Sequence, residues 1–157
     1  MALVTMGIEY SAKAIFVKDN HILLIRNIDE IGIWYCLPGG RQKYEETLYE
    51  TLRRECLEEV GILVDSFKLL FVREYIHKNH KLHEKRRVNH KVELIFLCEG
   101  QIESLRSPKG HNPDPSQMNA EWIKFGELPK LRIFPARLSN LKLSMFSDGA
   151  QYWGDIL

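Results

Sequence analysis

The chain is short of cysteine, of long apolar runs and of any excess of one charge, and each shortage closes off a class of protein. Its three cysteines, Cys36, Cys56 and Cys98, are odd in number, lie far apart and form no C-x-x-C pair. That argues against a disulfide framework and against zinc, and for a reducing, cytoplasmic setting. No apolar run approaches the roughly 20 residues needed to cross a bilayer. Met1 to Tyr10 hold no basic stretch followed by an apolar one, so no secretory signal is read there. Lys and Arg number 22 against 21 Asp and Glu, a formal net charge of +1. Such a balance gives no reason to expect bulk binding to nucleic acid or to a membrane. There is no internal repeat and no low-complexity segment.

What remains is 157 residues, 45% of them hydrophobic, enough for one globular domain over 1–157 with a real core. Ala14 to Val17 and Ile22 to Ile25 read as a β-hairpin, because Asp19-Asn20 between them is turn chemistry. Ile33 to Leu37 is a short strand stopped by Pro38-Gly39-Gly40. Glu46 to Val60 reads as a helix with a buried stripe of Leu48, Leu52, Cys56 and Val60, widened by Tyr49 and Leu57. Gly61 is placed to end it. Phe67 to Ile76, Val92 to Cys98 and Glu121 to Phe125 are strands, and Leu138 to Met145 belongs to a C-terminal helix. His77 to His90 and Ser107 to Met118 are connecting loops. Strands interleaved with an early and a late helix predict an α/β fold, a mixed β-sheet between helical layers.

The helix carries the chemistry. Glu55, Glu58 and Glu59 stand at i, i+3 and i+4, which places three carboxylates on one face. Three like charges repel, and stability alone does not select them. A hard divalent cation reverses the sign of that interaction, since Mg²⁺ takes oxygen ligands, a few carboxylates and substrate phosphates together. A solvated acidic face is the plainer reading of such a helix. The flanking Gly40, Glu46 and Arg54 weigh against it: the glycine lets a carbonyl approach a metal, and the opposite charges of Arg54 and Glu46 suit a brace between loop and helix.

Gly40, Glu46, Arg54, Glu55, Glu58, Glu59, Gly61 and Ile62 match in register the box of the Nudix hydrolases, G-x(5)-E-x(7)-R-E-U-x-E-E-x-G-U with U aliphatic. The approach, Trp34 to Gly39, also resembles that family's, and only Cys56 departs, a small hydrophobe where Ile, Leu or Val is usual. The resemblance implies a Nudix-type α/β/α sandwich that hydrolyses a nucleoside diphosphate linked to another moiety, using Mg²⁺ or Mn²⁺. It implies Glu58, Glu59 and the Gly40 carbonyl as metal ligands, and Glu55 as a ligand or as the base that activates water. Arg54 and Glu46 become supports. Some members place the base on a later loop, where Asp114, Glu121 and, less directly, Glu93 stand here. Homodimers are common in the family, and a homodimer is left open.

Other residues have a functional and a plain reading. Arg26 and Arg41 suit a two-pronged grip on phosphate or are surface charges. Trp34, Tyr35 and Tyr75 suit stacking on a base or core packing. The basic loop from His77 to Lys91 suits a positive lid that draws in phosphate, or is simply solvated, and its spaced His77, His80 and His83 make a weak metal site. The substrate is expected to be a small nucleotide, ADP-ribose or a related sugar nucleotide, because Lys78 to Arg87 supplies positive charge and Ser107 to Met118 is long enough to close over the far half of an extended substrate. A sanitising (d)NTP pyrophosphohydrolase and a nucleotide sensor that does not cleave are the alternatives. A sensor usually loses box carboxylates, and this chain keeps them. An isoprenoid diphosphate isomerase needs a further cysteine and acid constellation that is not found. The proline that some ADP-ribose hydrolases carry beyond the box is missing, with Ile76-His77-Lys78 in its place.

Overall fold

The computed structural model describes residues 7–80, 90–102 and 117–157. Strand β1 (Glu9–Ile15) alternates between two environments, and that alternation sets the layers. Ala12, Ala14 and the following Phe16 join one core cluster, whereas Ile15 joins the other. At Phe16 the chain crosses from one sheet to a second. There β2 (Val17–Lys18) and β3 (His21–Ile28) form the expected hairpin, with Asp19 and Asn20 both at positive φ. Two central residues at φ > 0 match the right-handed twist of a two-residue hairpin. The hairpin is therefore as read, but its first arm is shorter, because Ala14 and Ile15 pair elsewhere.

The first sheet has the order β10-β6-β7-β1-β5. It contains β5 (Gly39–Arg41), β6 (Ile62–Ile76), β7 (His90–Ile102) and β10 (Gln151–Asp155). β1 runs parallel to β7 and antiparallel to β5, so the sheet is mixed. The second sheet follows β2-β3-β4-β9, with β8 on the other side of β3. It adds β4 (Ile33–Cys36), β8 (Gln117–Lys124) and β9 (Ile133–Phe134). A hydrogen bond from Leu23 N to Phe16 O and another from Ala14 N to Pro38 O tie the sheets together.

Helix α1 (Leu48–Val60) begins two residues later than Glu46 because Thr47 caps it. The Thr47 hydroxyl accepts from Glu50 N, and the Glu50 carboxylate accepts from Thr47 N at 2.7 Å, a capping box. Gly61 ends the helix in the left-handed region, with φ of 68°. Leu52, Cys56 and Val60 are buried as expected and pack on Ala12, Ala14, Leu23, Ile25 and Phe96. Tyr49 and Leu57 do not widen that stripe: both are largely exposed, and Tyr49 stacks on Phe67 instead. On the opposite side Ile15, Ile22, Leu24 and Phe71 pack on Leu128, Leu138, Leu141, Phe146 and Trp153. The expected helix over Leu138 to Met145 is replaced by two 3₁₀ turns, Ala136–Asn140 and Leu143–Ser147. The second helical layer is thus made of short turns, Phe125–Lys130 among them. No helix among the described residues is long and apolar enough to cross a membrane.

Replacing Thr47 by Ala removes the acceptor for Glu50 N and is expected to lower unfolding free energy by about 1 kcal/mol. The urea midpoint should fall with an unchanged slope. A midpoint equal to that of the wild type would show that other contacts already fix the start of α1.

Candidate active site

Gly39 and Gly40 enter β5 directly after Pro38, and the first position requires glycine. Gly39 has a φ of 127°, and a Cβ there would collide with the Ala12 carbonyl oxygen of β1. A Cβ on Gly40 would lie 2.5 Å from the Glu55 carboxylate. The helix carboxylate thus rests against bare backbone, which brings the Gly40 peptide and Glu55 oxygens together. Glu59, one turn further on, is buried and accepts a hydrogen bond from Gly39 N at 3.2 Å.

Arg54 gathers the rest. Its Nε and Nη2 donate to the two oxygens of Glu46 at 2.6 and 3.0 Å, a paired grip. Nη1 donates to Glu55 at 2.7 Å and lies 3.6 Å from Glu58, and Nη2 also donates to the Arg41 carbonyl. The brace between Glu46 and Arg54 is therefore present, and it reaches β5 as well. The Arg54 guanidinium holds the Glu46 carboxyl down at about 2, helped by Lys43 N and the Thr51 hydroxyl.

Two cavities open beside these groups. One of about 300 Å³ is lined by Gly39, Gly40, Arg41, Glu55 and Glu59, with Ile25, Asn27 and Lys13 opposite. The second, about 390 Å³, has Trp34, Phe134, Pro135 and Tyr75 in its walls. Lys13, Trp34, Cys36 and Leu37 line both. In the larger cavity Glu93 accepts from Arg73 at 3.0 Å and from Ser11 at 3.3 Å, and pairs with Lys91 at 3.1 Å. Burial pushes the Glu93 carboxyl up, but Lys91, Arg73 and Lys13 outweigh it and bring it down to about 2. At the rim Asp29 and Arg132 form a two-pronged pair at 2.8 Å, and Trp34 meets Phe134 edge to face.

The sequence candidates thus divide. Glu55, Glu59, Gly40 and Arg41 line the smaller cavity, and Glu58 stands more exposed beside Arg54. Glu93, Trp34 and Tyr75 line the larger one. Arg26 and Glu121 form an ion pair at 3.6 Å, and Tyr35 donates to Glu121. Their neighbours Ile25 and Ala120 join the core beneath α1, whereas Arg26 and Glu121 alternate to the other face, away from both cavities. Asp114, His83, Lys85, Arg86 and Arg87 lie outside the described residues, as does most of the loop from Ser107. Lys13, Asn27, Arg73 and Arg132 escaped the sequence reading, and Lys91 figured there only as the end of the basic loop. For Lys13 a signal was there: a charge set between Ala12 and Ala14 in a strand otherwise charged only at its first residue, Glu9.

The donor chemistry suits a hard divalent cation. The Gly40 carbonyl, Glu55, Glu58 and Glu59 offer oxygens only, and the missing Cβ of Gly40 is what lets its backbone meet Glu55. Among the described residues no three acidic, histidine or cysteine side chains are grouped as they stand so that they could hold a metal ion.

The NUDIX domain model matches residues 10–142, most of the chain, and the chain belongs to the Nudix family. It is 30% identical over 146 residues to the 8-oxo-dGDP phosphatase NUDT18 of Homo sapiens, covering 91% of this chain and 39% of that protein. The chain therefore spans about two fifths of that relative's length. It is 33% identical over 66 residues to the 8-oxo-dGTP diphosphatase of Buchnera aphidicola, covering 42% of this chain and 52% of that one. The fold is shared with the mutator MutT protein from Bacillus halodurans, with a TM-score of 0.69 and 24% identity over 93% of this chain and 88% of that one.

The depressed Glu46 carboxyl links stability to pH. Its folded value lies below the ordinary 4.5, so its contribution is whole above 4.5 and is lost as pH falls through about 2. The melting temperature should fall over that window, and Glu46→Gln should flatten part of the fall. An identical pH profile for the variant would show that the pair with Arg54 does not contribute.

Proposed function

We propose that the chain is a divalent-metal-dependent pyrophosphohydrolase acting on a nucleoside diphosphate derivative. The observation that carries this is the complete carboxylate set of the Nudix box, gathered by Arg54 beside Gly40 and opening on a cavity. Glu58, Glu59 and the Gly40 carbonyl would hold Mg²⁺ or Mn²⁺, with Glu55 beside them as a further ligand or as the base. When bound, the ion neutralises the charge of the anhydride and polarises it. In the reaction a water oxygen bonds to phosphorus and the bridging P–O bond breaks. The proton of the water passes to a carboxylate, and the departing phosphate keeps the bonding electrons.

Glu55 is the favoured base. Glu93 is spoken for by Arg73, Lys91 and Ser11, and a carboxylate held at about 2 is a weak proton acceptor. Glu121 is engaged by Arg26 and Tyr35 away from the cavities. The three free thiols fit a reducing, cytoplasmic setting.

On substrate, ADP-ribose is expected from two loops that lie mostly outside the described residues. The names of the relatives support oxidised guanine nucleotides equally. The larger cavity, with Trp34 and Phe134 in its walls and charged groups at its floor, suits the nucleoside half of either.

Activity on 8-oxo-dGTP, 8-oxo-dGDP or ADP-ribose should require Mg²⁺ or Mn²⁺, and full turnover in excess EDTA would sink the proposal. Glu59→Gln should cut turnover by about a hundredfold or more while leaving the fold intact, the scale of losing a metal ligand or base. Near-normal turnover in that variant would remove Glu59 from the ligand set. A side-by-side assay of the three nucleotides decides the substrate without disturbing the reaction class.

A further inference from the structure

Lys13 is the residue that neither the box nor the core accounts for. It sits on β1 between Ala12 and Ala14, on the strand face it shares with the buried Ser11 and Ile15. Placing an ammonium there costs desolvation. Its hydrogen bonds go to two backbone carbonyls, Gly39 O at 3.1 Å and Leu37 O at 3.5 Å. An ammonium has three donors, so two carbonyls leave one in hand. The other cations of the two linings have carboxylate partners: Arg73 and Lys91 on Glu93, Arg132 on Asp29, and Arg41 on Glu9. Burial works against the charge of Lys13. Cys36, Glu93, Glu59 and Glu55 around it outweigh burial and keep it protonated.

Its place decides what that charge is for. Lys13 belongs to the wall shared by the two cavities. A nucleotide with its anhydride at the box carboxylates and its nucleoside in the larger cavity has to bridge that wall. The group at the bridge is the phosphate attached to the nucleoside.

We infer that Lys13 is a substrate-binding residue whose ammonium takes the nucleoside-proximal phosphate at the neck between the two cavities. This rests on the reading of the two cavities given under Proposed function. It goes beyond that reading in naming the contact that joins them. The alternative is that Lys13 serves only as a counter-charge to Glu55, Glu59 and Glu93. A counter-charge supports the fold and has no preference for phosphate on a ligand.

The experiment compares ligands with and without that phosphate, in EDTA, so that hydrolysis plays no part. Binding of AMP, dGMP, adenosine and deoxyguanosine is measured by calorimetry on the wild type, Lys13→Met and Lys13→Arg. The wild type should prefer at least one monophosphate over its nucleoside by about tenfold or more, the scale of a hydrogen bond to a charged group. Lys13→Met should erase that preference while leaving the nucleoside affinity unchanged, and Lys13→Arg should retain part of it.

A preference undiminished in Lys13→Met overturns the inference. Equal weakening of nucleoside and monophosphate also overturns it, because that is the mark of a structural counter-charge. So does a wild type that binds neither monophosphate. Should Lys13→Met fail to fold, ¹³C-labelled lysine spectra of the wild type decide. The Lys13 side-chain signal, assigned through Lys13→Arg, should move with the monophosphate and not with the nucleoside. A signal that stays still overturns the inference. Loss of the hydrolase reading would look different: no nucleotide is cleaved with Mg²⁺, while the monophosphate preference stands.

Discussion

The site depends on one guanidinium placed among three carboxylates. Arg54 bonds Glu46 and Glu55, lies near Glu58, and reaches the Arg41 carbonyl of β5. An exposed ion pair contributes only about 0–1 kcal/mol, so the number of such pairs does not explain the arrangement. Position does. Arg54 and its partners Glu46 and Glu55 are each about four-fifths shielded, and the Glu46 oxygens are shared with Thr51 and with the Lys43 backbone. Loop, helix and edge strand are fixed at one point. Removing the guanidinium would leave the acids facing one another with Lys13 as the nearest remaining buried cation.

The second constraint is the change of sheet at Phe16. Had β1 continued into the hairpin, Lys13 and Asn27 would not share a cavity wall. Because the chain crosses there, the edge of the first sheet at β5 meets the second sheet at β3 and β4. Both cavities lie along that seam. Gly39 lets β5 lie close on β1 at the edge of that sheet, since any side chain would strike the Ala12 carbonyl. Helix packing, the crossing and the cavity are thus one arrangement.

The parts legible in the sequence were those coded locally. The hairpin showed in Asp19-Asn20, the helix in its stripe at i+4 steps, its end in Gly61, and the carboxylate set in fixed spacing. The parts that failed were coded by distant partners. Leu138 and Leu141 mark a buried face in Leu138 to Met145, but short 3₁₀ turns bury them equally well against Trp153 and Phe146. The two-residue β9 and the parallel β10 have too few residues for a period to show. Tyr49 has the spacing of a core residue, yet Phe67 offers it a stacking partner at the surface. Arg26 and Arg41 were equivalent on paper. One turns to Glu121 on the far face of β3, and the other lines the cavity, because a strand sends successive side chains to opposite faces.

The division into two cavities separates what is done from what is done to it. The smaller cavity holds the box carboxylates and glycines, which the motif specifies almost completely. The larger one is built from residues outside the box: Asp29, Arg73, Lys91, Glu93, Arg132 and Phe134. A chain could keep the first and change the second without disturbing Arg54 or its partners. Relatives that share the box can therefore act on different nucleotides. Under the proposed function the choice in this chain would fall to the charged floor around Glu93 and to the rim where Arg132 pairs with Asp29 beneath the Phe134 ring. The floor is rigid because three donors already hold the Glu93 oxygens in place. A ligand that fits this cavity must match polar groups whose positions are already set, and a site of that kind rejects a poor match by leaving buried polar groups unpaired. Under the proposed function, selectivity would thus be a property of β6, β7 and β9, and reactivity a property of β5 and α1.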